Sequence, residues 1–140
     1  MLRKAVLLLF LLPCALQDLR TKTVSVPFCA VFSAAGIFLS VRGGTGIPDL
    51  CFSVLPGLFL ILLSRLSRGA VGAGDGLVLV SSGTFLTLPE VLFVFCLGVL
   101  LSAAYAAFLL LWHRLRGKDR FAFLPFLLAG TVLYEVLLCL

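Results

Sequence analysis

The sequence predicts an all-α membrane protein, a polytopic bundle of six transmembrane helices. Three observations lead there. The 140-residue chain is 62% hydrophobic and only 12% charged, and its mean hydropathy of +1.25 exceeds that of water-soluble domains. A soluble fold of this length buries only about two-thirds of its surface, so apolar patches would face water unless lipid covered them. Finally, apolar runs separated by short polar, Gly or Pro breaks recur six times along the chain.

The first segment, Ala5 to Leu16, follows Arg3 and Lys4. A basic start followed by an apolar run also fits a secretory signal peptide, but no small-x-small cleavage site follows, Pro13 interrupts the candidate, and LLPC is a poor lipoprotein box. The segment is therefore read as a span. Val24 to Val41 is the second, ended by Gly43, Gly44, Gly46 and Pro48, and Pro48 to Ser64 is the third, ended by Arg65 to Gly69. The fourth, Val71 to Leu88, opens on a glycine-rich stretch and closes at Leu88 to Glu90, where Glu90 caps an outer hairpin. Val91 to His113 is the fifth, followed by the basic run RLRGKDR, and Phe121 to Leu140 is the sixth. No soluble portion or internal repeat remains, so residues 1–140 read as a single membrane-embedded domain.

Eight Lys and Arg residues (Arg20, Lys22, Arg65, Arg68, Arg114, Arg116, Lys118, Arg120) fall in the odd-numbered loops, against three (Arg3, Lys4, Arg42) on the other side. Cytoplasmic loops carry the excess of positive charge, which puts the odd loops in the cytoplasm and both termini outside. The net charge of +5 thus reflects membrane orientation, and nucleic acid is excluded as a partner. The five cysteines contain no CxxC pair and lie mostly in apolar runs, as small core residues would. No metal or cofactor is expected.

Two carboxylates stand out in this setting. Glu90 to Asp75 is fifteen residues and Lys4 to Asp18 is fourteen, each about 21 to 22 Å of helix against a hydrocarbon core of about 30 Å. Both acids are therefore expected just below the inner interface, at one depth. An ionised aspartate at the bilayer centre costs about 2.5 to 3.5 kcal/mol, so intramembrane acids point to function. Asp18 falls at a helix end, where the macrodipole disfavours a carboxylate, and Asp75 near a helix start, which favours one. Two carboxyls sharing a proton can activate a water for attack on a peptide carbonyl. Gly72, Gly74 and Gly76 would let the chain bend or loosen and let a substrate backbone approach. Taken singly, Asp75 fits a helix N-cap and Asp18 a headgroup ion pair with Arg20 or Lys22. Their joint placement favours catalysis.

Other polar residues have simpler readings. His113, beside Trp112 and Arg114, fits an interfacial belt. Glu135 falls near the outer boundary, solvated or helix-paired, and Asp49, Glu90 and Asp119 fall in loops. Ser81, Ser82 and Thr84 are placed to hydrogen-bond neighbouring helices.

The stretches ALQDLRTKTVSV, GAGDGLVL and FAFLPFLLAG, in that order, resemble the three blocks of the type IV prepilin peptidases, membrane aspartyl proteases of the GxGD type. The resemblance implies that Asp18 and Asp75 are the catalytic pair, that Gly72 and Gly74 are the motif glycines, and that Pro125 helps shape a substrate groove. It also implies a prepilin or pilin-like substrate in a type IV pilus or secretion system, cleaved at the cytoplasmic face of the inner membrane just before its apolar helix. Two departures bear on substrate choice and efficiency: Val24, Ser25 and Val26 stand where the family often has Ile-Pro-Asn, and Leu77 where it often has Lys. The N-terminal CxxC domain of long bacterial members is missing from the sequence, which implies peptidase activity without methyl transfer. The alternatives are a catalytically silent scaffold or a small proton-coupled transporter; no oligomeric state is implied.

Overall fold

The computed structural model describes residues 2–21, 23–67, 72–112 and 122–139. It consists of α1 (Leu2–Thr21), α2 (Val26–Arg42), α3 (Ile47–Leu66), α4 (Ala73–Gly83), α5 (Leu88–Leu111) and α6 (Leu124–Cys139), with no strand among the described residues. The sequence marks most of the helix starts. Pro27, Pro48, Pro89 and Pro125 each lie in a first turn, where a missing N–H removes no intrahelical bond. Glu90 lies in the first turn of α5, not in a loop: its carboxylate accepts the Thr87 main-chain N–H at 2.8 Å and the Thr87 hydroxyl at 2.9 Å, closing back on the N-cap residue and fixing the helix start. Asp49 likewise belongs to the first turn of α3. Gly44, at φ 78°, supplies the left-handed residue that turns α2 into α3.

Two segments differ from the sequence reading. The first helix runs through Pro13 to Thr21, so Asp18 is in its last turn. The fourth is much shorter than the expected crossing from Val71 to Leu88: α4 has 11 residues, about 16 Å. Side chains take up the main-chain carbonyls just beyond it, at Thr84 and Phe85, while hydroxyls in its last turns bond back to carbonyls of the preceding turn. Ser81, Ser82 and Thr84 donate their hydroxyls to the carbonyls of Leu77, Val78 and Ser81. Ser40 donates to the Thr84 carbonyl at 2.5 Å, and the Arg3 guanidinium donates twice to the Phe85 carbonyl, at 3.1 and 2.6 Å. A basic group at the carboxyl end of α4 also complements its dipole. The helical spacing from Glu90 to Asp75 used in the depth argument therefore does not hold, because the chain turns at Thr84 to Leu86.

Packing explains why α4 is rich in small residues. It lies against α2 and α3, and α3 approaches so closely that a Cβ at Gly76 would sit 2.6 Å from Ile61 Cγ1 and 3.0 Å from the Ile61 nitrogen. Added at Gly57 or Gly83, a Cβ would meet the main chain of Val80 or Ser53. Small residues are what allow helix backbones to approach in this way. Ser81 ties α4 to α2: its hydroxyl accepts from Ser33 at 2.9 Å and lies 3.3 Å from the Cys29 carbonyl, sharing its one proton between that carbonyl and the Leu77 carbonyl. The core, built on Leu7, Phe10, Leu11, Cys14, Val78, Leu79, Phe85, Leu124 and Leu127, lies where α1 meets α4 and α6, with Phe10 stacked against Phe28 and Phe32 of α2. Cys14 and Cys29 belong to it, whereas Cys51 and Cys96 are exposed, which corrects their assignment to the core.

The helices alternate in direction. The start of α1, the α2–α3 turn, the α4–α5 turn and the end of α6 share one end of the bundle, tied by Arg3 to Thr45 at 3.1 Å, Lys4 to Glu135 at 3.1 Å and Tyr134 to Glu90 at 3.3 Å. Glu135 is therefore helix-paired. Helices α3 and α5 are long and apolar enough to cross a membrane. Large apolar side chains face outward elsewhere too, among them Leu9 on α1, Val31 on α2 and Leu138 on α6. Such a surface suits lipid better than water.

Candidate active site

At the end of the bundle opposite Arg3 and Lys4, the last turn of α1 meets the first turns of α4 and α6. Asp18 projects from α1 and is only 7% exposed. Asp75, in the first turn of α4, is half-buried. The two carboxyls lie close enough to interact electrostatically, so the structure brings together the two acids singled out in the sequence.

The glycines of the second block act differently from the expectation. Gly72 precedes α4 with φ −65° and ψ 121°, a conformation open to any residue, and Gly74 lies within regular helix. Neither loosens the chain. What they provide is room: a Cβ on Gly72 would stand 2.7 Å from Asp75 Oδ2, and one on Gly74 would stand 2.9 Å from Val24 Cγ2. Val24 thus seats the α1–α2 connection on α4 directly beside the acids. The same connection is tied to α1 by the Gln17 side-chain amide, which donates to the Ser25 hydroxyl at 3.0 Å. Two of the positions where this chain departs from the family pattern therefore shape the site, and Ser25 accepts a bond that a proline side chain could not.

The start of α6 also reaches the site. Leu124 donates its main-chain N–H to Asp18 Oδ2 at 3.2 Å, a buried contact between residues 106 positions apart. Pro125 follows directly, partly exposed. Asp18 thus meets both poles, the carboxyl end of α1 and the amino end of α6, so the contrast with Asp75 expected from α1 alone does not follow from helix position. Nothing in local sequence signals this contact or the seating of Val24 on Gly74, since both join segments far apart in the chain. Cys14, one turn before Asp18, is buried in the core with Cys29 of α2. Lys22, Arg68, His113, Arg114, Arg116, Lys118, Asp119 and Arg120, which entered the reading of orientation and belts, lie outside the described residues.

Residues 5–107 match the type IV leader peptidase family. The chain belongs to that family. The matched stretch contains Asp18, Gly72, Gly74 and Asp75 and ends before α6, so the third block, with Pro125, falls outside it. Comparison with curated proteins and with solved structures gives no match. Membership points to a peptidase of the aspartic type acting in general on prepilin-type proteins, and together with the apolar α3 and α5 it points to a membrane protein.

Proposed function

We propose that this leader peptidase is an aspartic endopeptidase that cleaves the leader of a prepilin or pilin-like precursor of a type IV pilus or secretion system. Asp18 and Asp75 are its catalytic pair. The observation that carries the proposal is the placement of both carboxyls at one end of the bundle, near enough to interact electrostatically. One proton shared between them leaves one carboxylate to take a proton from water and one acid to protonate the scissile carbonyl oxygen as the water attacks. Collapse of the tetrahedral intermediate breaks the C–N bond, and the leaving amine takes up a proton.

In this reading residues 1–140 form one membrane-embedded domain with six crossings, the fourth made by the short α4 and its following turn. The excess of Lys and Arg in the odd loops puts the acids at the cytoplasmic face of the inner membrane. A substrate with a basic leader and an apolar helix would then lie beside the enzyme in the bilayer, its scissile bond level with the acids. Gly72 keeps the space beside Asp75 open, Gly74 seats Val24 against α4, and Pro125 borders the groove. No cofactor enters the chemistry.

Asp18→Asn and Asp75→Asn test this, each co-expressed with a panel of prepilin-like substrates and scored by the electrophoretic shift of leader loss. Processing disappears in both while the variants still reach the membrane in normal amount. Retained processing in either variant would overturn the assignment, and a retained cellular role without any processing would favour a scaffold.

A further inference from the structure

We infer that the start of α6 positions Asp18, with the Leu124 main-chain N–H fixing one carboxyl oxygen and so the direction in which the carboxyl meets the shared proton and the water. This rests on the proposed catalytic role of Asp18.

The donors of a first helical turn have no partner within the helix. In α6 these are few. Pro125 has no N–H, and the N–H groups of Phe126 and Leu127 both go to the Phe123 carbonyl, at 3.0 and 3.1 Å. Leu124 brings its N–H to Asp18 Oδ2, at 3.2 Å and buried. Its side chain is fully buried in the core beside Leu127, which anchors the donor. Hydrogen bonds to a charged acceptor are stronger than neutral ones and set its direction. Asp18 stands on the last turn of α1, whose own carbonyls offer a carboxyl no donor, and α6 supplies one. Pro125 then acts by leaving Leu124 as donor at the acid, and its ring need not touch substrate.

Leu124→Pro is the selective test. Proline is favoured at the first position of a helix, so the change removes the N–H while α6 can still start. Leu124→Ala keeps the N–H and truncates more of the buried side chain. With a synthetic peptide carrying a basic prepilin-type leader and the following apolar helix, the proline variant loses about tenfold to a hundredfold in kcat with KM unchanged. That loss exceeds the alanine variant's by about tenfold. Equal losses in the two variants, or a raised KM with kcat retained, would overturn the inference. Should Leu124→Pro fail to insert, hydrogen exchange at the Leu124 amide decides: it quickens in Asp18→Ala if the bond holds it, and an unchanged rate rejects the bond. Exchange reports the contact whether or not the protein cleaves leaders. A wild-type protein without cleavage would count against the proposed activity and leave the contact to be judged by exchange alone.

Discussion

At one end of the bundle Glu135 pairs with Lys4 at 3.1 Å, and Glu90 accepts from Thr87 and Tyr134. At the other, Asp18 and Asp75 lie near each other, and Asp18 accepts the Leu124 main-chain N–H. Both ends gather acidic side chains from helices distant in sequence, but the first sets an acid against a cation, whereas the second, among the described residues, places one acid beside another. Two carboxyls brought together raise each other's electrostatic cost, an arrangement that packing alone does not favour. The contrast separates an end that fastens the helices from the end at which we propose the chemistry.

The largest expected difference between the ends is in activity. Asp75→Asn lowers leader processing by about a hundredfold or more, while Glu135→Gln leaves it within a few-fold in the same electrophoretic assay. Comparable losses from both would erase the distinction.

A smaller effect is expected where the glycines make room. Gly74→Ala puts a methyl against Val24, and the α1–α2 connection must shift beside the acids, for a loss of about tenfold. Val24→Ala in the same chain restores most of that loss, as measured by kcat/KM on a leader peptide. If the second change brought no recovery, the contact would not be what the glycine protects.

At the fastening end the effects fall on stability. Arg3→Gln removes the guanidinium bonds to the Phe85 carbonyl, which closes α4, and should cost about 1 to 3 kcal/mol, seen as a lower thermal midpoint in detergent with kcat per folded molecule nearly unchanged. Lys4→Gln, which breaks a partly exposed ion pair, should cost about 1 kcal/mol or less by the same measurement.

Both acids were legible in the sequence, because an isolated carboxylate within an apolar run is a local signal. The prolines at helix starts and the Thr87–Glu90 pair are local too, yet the sequence reading leaves Glu90 in a loop, and the pairing of Lys4 with Glu135 is tertiary. The length of α4 could not be read that way. The apolar and hydroxyl residues from Leu77 to Ser82 suit a long span as well as a short helix, and what ends α4 includes Arg3, 82 positions away from Phe85. The seating of Val24 on Gly74 and the bond from Leu124 to Asp18 are tertiary in the same sense. The first helix also outruns its sequence limit at Leu16: Pro13 removes only one helix bond, and burial of Leu11, Cys14 and Ala15 around it carries α1 onward to Asp18.

The central claim is that Asp18 and Asp75 act as one unit. The most direct test is a double-mutant cycle, with processing of a leader peptide measured for Asp18→Asn, Asp75→Asn and the two combined. Groups that share one proton and one water give a double variant no slower than either single variant. Losses that multiply in the double variant, or a single variant that cleaves at the wild-type rate, would contradict it.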